Sequence, residues 1–347
     1  LGGAGVWIAI LLLADAGALD GDTILAEGSA LQIAVALAAI VGFGTKAGVM
    51  PLHAWLPRAH PIAPAPVSAL MSGVMVKVAL YGLLRVLVEW IGPAPLWIGA
   101  LVVALGAASA VGGILYALFQ DELKRLLAFS TIDNVGISML GIGACLVLHG
   151  EGDDTWAAIA LGAALLHVVN HAVAKGLLFL AAGSLERTVG GLDLDHLGGL
   201  LRRMPWTGAA LVVGAAALAG LPPLNGFASE WLMLQSLLHL PAAGGVGSGI
   251  VGAVALGTLA GAAAIAAVCF LKVVGMILLG QPPRLACANA TDPPLAMRAA
   301  TAVLAGACLV LGIVPGVLLA PLVGLAPWAE SAPVTAGLDL PGTGGLP

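Results

Sequence analysis

Six ionisable side chains in this sequence stand where an apolar membrane helix should tolerate none: Lys46, Lys77, His167, His171, Lys175 and Glu230. A lysine near mid-bilayer costs at least about 2.5 kcal/mol on insertion scales, so each of these groups must face protein or water and is a candidate functional group. His167, His171 and Lys175, in LLHVVNHAVAKGLLFL, are spaced i, i+4, i+8 and share one helix face. Such a stripe can hand protons along side chains and water. Two other readings stay open for the histidines: plain packing, and a metal pair, for which the usual third ligand or the glutamate of HExxH is missing. Lys46 stands just before a Gly-Val-Met-Pro interruption, and Lys77 lies too deep in its apolar run to reach an interface easily by snorkelling. Glu230 follows Gly226 by one helical turn. Burial disfavours the charged form of lysine and carboxylate alike, and an opposite charge nearby favours it, so charge moving along such a row decides which group holds the proton.

Four more positions are ambiguous. Lys124, in QDELKRLLAFS, reads either as a loop charge pairing with Asp121 or Glu122, or as the mouth of a pathway. Asp133 and Asn134, in STIDNVGI, read as polar packing or as a channel entrance. Lys272, in CFLKVVGM, lies close enough to the end of its run to snorkel.

The elements that must position these groups are membrane helices. With 60% hydrophobic and 9% charged residues, and a mean hydropathy of +1.07, the chain lacks the polar surface of a soluble domain. Nine segments approach the roughly 20 apolar residues of a span: 1–19, 29–56, 66–90, 96–118, 125–148, 156–185, 205–240, 248–280 and 295–325. None shows the alternation of a membrane barrel strand, so the fold class is all-α, a polytopic transmembrane bundle. The 49 glycines suit close helix packing in lipid. The four cysteines, Cys145, Cys269, Cys287 and Cys308, form no CxxC pair and read as packing residues. Two spans are interrupted, the second at GTKAGVMPLHAWLP and the seventh at AGLPPLNGFASEW. Broken helices at membrane depth belong beside a protein-lined or hydrated cavity. Lying five spans apart, the two run antiparallel, the footprint of inverted five-helix repeats.

Charge partition supports this count. One set of loops carries Arg58, Lys124, Arg125, Arg187, Arg202, Arg203, Arg284 and Arg298; the other carries Asp15, Asp20, Asp22, Glu27, Glu89, Glu151, Asp153 and Asp154, with Arg85 the one nearby base. Basic residues favour the cytoplasmic side, which puts the first residues there and the C-terminus outside. The chain divides into a transmembrane domain, 1–325, and a Pro/Gly-rich tail, 326–347. The first residues are helical in character without the basic flank of a signal peptide, so a start partway through a longer protein is expected.

The second and third spans, DELKRLLAFSTIDNVGI, HVVNHAVAKGLLFLAAGSL and LPPLNGFASEWLMLQSLL together resemble the antiporter-like membrane subunits shared by respiratory complex I and Mrp-type cation antiporters. DLDHLGGLLRRMP and CFLKVVGMILLG extend the likeness, in particular to the large membrane subunit of group 4 nickel-iron hydrogenases. The resemblance covers nearly all of residues 29–280. It implies helices six to fourteen of a fourteen-helix core, with Lys46 as the lysine of the broken seventh helix and Lys77 as the basic residue of the eighth. It likewise implies that Lys124, His167, His171 and Lys175 form the central hydrophilic axis and Glu230 is the ionisable group of the broken twelfth helix. The glutamate that partners the seventh-helix lysine in that family would precede Leu1. The implied function is proton translocation within a multisubunit oxidoreductase whose redox chemistry sits in a peripheral arm. The implied partners are that arm, other membrane subunits and the lipid of the inner membrane, without nucleic acid. The chain itself shows no cofactor motif. A cation/proton antiporter of Mrp type, the membrane partner of an inorganic-carbon uptake system, and a plain scaffold are the rival readings.

Overall fold

The computed structural model describes residues 1–19 and 25–328. Twelve helices carry the architecture: α1 Gly2–Asp15, α2 Ala30–Ala47, α3 Leu56–Ile62, α4 Ala65–Trp90, α5 Leu96–Leu118, α6 Leu123–Gly150, α7 Asp154–Val189, α8 Pro205–Leu218, α9 Asn225–Ala243, α10 Val246–Leu278, α11 Leu295–Ile313 and α12 Gly316–Val323. No strand occurs among the described residues, and seven of the helices are long and apolar enough to cross a membrane. The protein is an all-helical polytopic bundle. Nine apolar segments appear where the sequence places them, with three differences. The second span continues past its break through α3 to Ile62. The seventh divides into α8 and α9. The ninth breaks at Val314 and Pro315, between α11 and α12. Asp20, Asp22 and the tail from residue 329 lie outside the described residues.

α6 is the axle: nearly every residue from Leu123 to Leu148 is buried, and α7 lies against it. Small residues set how close the helices come. Gly99, Gly106 and Gly113 on α5 recur every seven residues and face Gly136 and Gly143 on α6, which share that spacing. A methyl on Gly113 would meet the Asp133 backbone nitrogen at 2.4 Å, and one on Gly136 the Ala110 nitrogen at 2.3 Å. With no apolar solvent gain between helices in lipid, such close backbone contact is what holds two spans together.

Both breaks open on a glycine in the left-handed region, Gly48 at φ 78° and Gly220 at φ 63°, where a Cβ would be strained. Each also contains a cis X–Pro bond, Met50–Pro51 and Pro222–Pro223. The second break is covered by α11, where Gly312 admits the Pro223 carbonyl; a Cβ there would lie 2.1 Å from it.

The connecting segments gather at two ends. At one, Lys272 reaches the carbonyls of Leu118 and Gln120 and the carboxylate of Asp121, the snorkelling expected of it, while Asp292 accepts hydrogen bonds from the Trp206 and Thr207 amides. This end collects Lys124, Arg125, Arg187, Arg202, Arg203 and Arg284. At the other, Gln32 donates to the carbonyls of Ile91 and Pro93, close to Glu89, and Glu151 stands beside Gly244. Basic residues from loops separated in sequence thus gather at one end, beside acidic ones such as Asp121, Glu186 and Asp292.

Candidate functional site

α4 and α7 cross at mid-bundle, and their crossing brings together two groups the sequence separates by 94 positions: the Lys77 ammonium lies 2.7 Å from His171 Nδ1. The local cause is a wide π-type turn over Met71–Met75, in which the Val76 amide bonds back to the Met71 carbonyl. Such turns mark functional sites, because the ladder leaves carbonyls for other donors. Here the Ser72 carbonyl accepts from the Lys77 ammonium, and the Ser72 hydroxyl meets that of Thr131 on α6 at 2.8 Å. Lys77 is 8% exposed and also lines an apolar pocket of about 400 Å³ between α4 and α7.

Along α7 the expected stripe is present and buried. His167 and His171 lie with their rings nearly parallel, centroids 6.4 Å apart. His167 Nδ1 contacts the Ser229 hydroxyl of α9 at 3.1 Å. Lys175 donates to the Leu127 carbonyl at 2.8 Å and to the Ser130 hydroxyl, both on α6, with the Phe270 ring beside its ammonium. The histidines spend their Nδ1 atoms on a lysine and a serine. Among the described residues no group of three or more His, Cys, Asp or Glu side chains is arranged to hold a metal ion.

The broken seventh span is fastened to this row. Asn170 Nδ2 donates to the Asn225 carbonyl at 2.7 Å, and Asn225 Nδ2 returns the bond to the Asn170 carbonyl at 3.1 Å. One turn on, Ser229 reaches His167 and Glu230 lies against the break; a Cβ on Gly220 would sit 2.6 Å from its Oε2. A narrow cleft joins His167, His171, Asn134 and Glu230. Asp133 is buried beside Asn134, whose amide it accepts at 3.1 Å.

Lys124 settles neither wholly as a loop charge nor as a partner of Asp121 or Glu122. Its ammonium, 1% exposed, lies 2.7 Å from the Glu186 carboxylate at the far end of α7 and donates to the Ala63 carbonyl just past α3. Glu122 instead caps α6, accepting from the Lys124 and Arg125 amides, and burial pushes its carboxyl above the usual range. Glu186, Ser130, Asn170, Asn225 and Ser229 were not singled out from sequence. The one signal for Glu186 is its place at the end of the same α7 run.

Lys46 is not brought to the row. It ends α2 with its side chain exposed on the described bundle, in a groove with Gly3, Phe43, Thr45, Trp55 and Val78, and it forms no hydrogen bond or ion pair with the described residues. The physical reason is the helix phase: the α2 residues that face inward near its end are Gly42, Gly44 and Ala47, which flank Lys46.

The model of the NADH:quinone oxidoreductase/Mrp antiporter transmembrane family matches residues 8–257. Hydrogenase-4 component B of Escherichia coli K12 is 43% identical over 313 residues, which are 89% of this chain and 47% of that protein. The chain therefore spans about half the length of that relative. Among solved structures, a chain of the Mrp complex from Dietzia sp. DQ12-45-1b superposes with a TM-score of 0.73 at 25% identity, covering 96% of this chain and 67% of its own length. A chain of respiratory complex I from Thermus thermophilus gives 0.74 at 25% identity, covering 92% and 64%.

Proposed function

The chain belongs to the NADH:quinone oxidoreductase/Mrp antiporter transmembrane family, and from that premise we propose that it is the proton-translocating part of a membrane subunit in a multisubunit oxidoreductase of the hydrogenase type. The observation that carries this reading is the Lys77–His171 contact, a cation and an imidazole in direct proton-transfer distance inside a membrane bundle. Lys77 and Lys175 accept and release protons as neighbouring charge changes. His167 and His171 conduct between them, and Glu230, at the break, exchanges toward one side. Lys124 with Glu186 forms the mouth at the basic end. Lys46 takes part through a carboxylate supplied from outside the described residues, where its groove opens. Electron transfer belongs to peripheral partner subunits, and the chain's own task is to turn that energy into proton movement. By its charge partition it sits in the cytoplasmic membrane with the basic loops inside and its C-terminus outside.

The test uses the intact complex in sealed vesicles. Lys77→Ala is expected to abolish proton pumping while electron transfer continues in uncoupled membranes. Pumping at the wild-type ratio would overturn the reading and leave a scaffold. The Mrp likeness supports a second reading, exchange of a cation for protons without electron transfer; sodium-dependent proton exchange in vesicles lacking redox partners would favour it.

A further inference from the structure

The pocket beside Lys77 serves none of the steps above. It lies between α4 and α7, holds about 400 Å³, a volume in the range of small-molecule sites, and is reached by Leu322 of α12. Its walls are almost wholly apolar, and Lys77 is the one lining residue that carries charge. On the α4 side Val74, Val78 and Tyr81 are exposed, so the pocket opens sideways, toward hydrocarbon in a membrane. An ammonium has three N–H donors. One from Lys77 meets the Ser72 carbonyl and one meets His171 Nδ1; the third has no partner among the described residues, although the side chain is more than nine-tenths buried. A spare donor at the wall of an apolar cavity calls for an occupant that brings an acceptor at one end and hydrocarbon for the rest. Direction decides which. α7 lines the pocket from Ala164 to Val173, about 14 Å of helix. Because Lys77 meets His171, its ammonium stands near the Val173 end, and the remaining space runs past Tyr81 and Leu84 toward the end where Glu89 and Glu151 stand. A phospholipid lies the other way, with its phosphate at the surface and its tails toward mid-bilayer, and cannot bring that phosphate to Lys77. A free fatty acid can, since its protonated form is neutral and enters hydrocarbon head first.

We propose that this pocket binds a free long-chain fatty acid drawn from the bilayer, its carboxylate on the third N–H of Lys77 and its chain lying along α7 toward Ala164. The acid arrives neutral and gives its proton to the Lys77 amine when that amine has released its own, so the pair that forms is neutral overall. The tail gains little by leaving lipid for a wall of valine and leucine, which is no more apolar. Selection therefore rests on the charge-assisted bond between carboxylate and ammonium. A carboxylate held there favours the charged form of Lys77, which stops its proton exchange with His171. The binding stands on the pocket and the spare donor alone; the arrest of pumping that follows from it rests on the transport reading above.

The experiment uses the intact complex in liposomes, labelled by light with palmitic acid carrying a diazirine in its chain, the labelled peptides then being read by mass spectrometry. Label is expected on residues 164–173 or 78–84. Palmitic acid should displace it, while methyl palmitate, which has the same tail without the carboxylate, and phosphatidylglycerol should not. Lys77→Ala and Val169→Phe, which puts a ring into the pocket, should each lower the label at least tenfold; Lys77→Met and Val173→Phe replace them if either fails to assemble. Absence of label there, equal displacement by the ester or the phospholipid, or full labelling of Lys77→Ala overturns the site. Pumping per redox turnover is followed in parallel as palmitic acid is added. Val169→Phe should need at least tenfold more acid than wild type to fall to half of its own starting rate, and because acid crossing the bare bilayer affects both alike, equal sensitivity overturns the arrest. Displaceable label beside normal pumping in Lys77→Ala refutes the transport reading and leaves the site standing. Loss of pumping in Lys77→Ala without displaceable label in wild type refutes the site alone.

Discussion

Gly226→Ala is expected to damage this protein out of proportion to the single methyl it adds. Gly226 is the second residue of α9, where α8 and α9 meet across the break, and a Cβ built there would lie 1.9 Å from the Ala217 carbonyl oxygen, against the 3.4–4 Å of ordinary contact. The backbones must therefore part by about 1.5 Å, and because the atom met is a carbonyl no side chain can swing aside. Overpacking of this kind costs about 1–3 kcal/mol, with the upper end expected here. Relief by sliding the start of α9 moves the two neighbours that fasten it, Asn225 with its bonds to Asn170 and Ser229 with its contact to His167. Each buried hydrogen bond lost adds about 1 kcal/mol. With one to three of these bonds lost the total is about 4–6 kcal/mol, and the His167 end of the row is displaced. The assay is thermal unfolding of the purified complex together with pumping per redox turnover. Gly226→Ala should melt earlier and pump poorly at normal electron transfer. Gly257→Ala, in the interior of α10 with no described atom within 4 Å of the added carbon, should change neither. A Gly226→Ala complex with wild-type melting and pumping would refute the close approach at the break.

Two further predictions concern the basic end. Glu186→Ala leaves the Lys124 ammonium buried without its carboxylate, so Glu186→Ala should melt earlier than the Lys124→Ala/Glu186→Ala pair; the Glu186 side chain is 44% exposed, which holds the difference to about 1 kcal/mol. Equal melting of the two would show that the pair is solvated. Glu122 carries a carboxyl pushed up by burial, so its charged form weighs against the folded state, the penalty being absent below about pH 4 and growing as pH rises through the raised value. The Lys124 and Arg125 amides bond separate oxygens of Glu122, so Glu122→Gln keeps an acceptor for one of them and removes that penalty. It should therefore gain melting temperature over wild type at pH 7 and show no gain at pH 4, and the opposite trend would refute the assignment.

The sequence alone determined the class of molecule and the identity of most of the row. A chain so poor in charge has to lie in lipid, its apolar runs have to be helices, and ionisable groups left inside them are costly unless they face protein or water. Spacing of four then put His167, His171 and Lys175 on one face, and Pro222, Pro223 and Gly226 marked the break near Glu230. Only the tertiary structure decided which of these groups meet. Lys77 and His171 are joined by a helix crossing that depends on the π turn before Lys77, and no local pattern records it. Lys124 finds Glu186 because the start of α6 lies against the end of α7, and Lys46 faces away because glycines and an alanine beside it take the inward positions. His60 looked like part of a loop following the second span, and became a buried ring against Phe179 once α3 resumed the helix beyond the break. Burial cost is a property of one segment and can be read from it; partnership is a property of two, and needs the fold that brings them side by side.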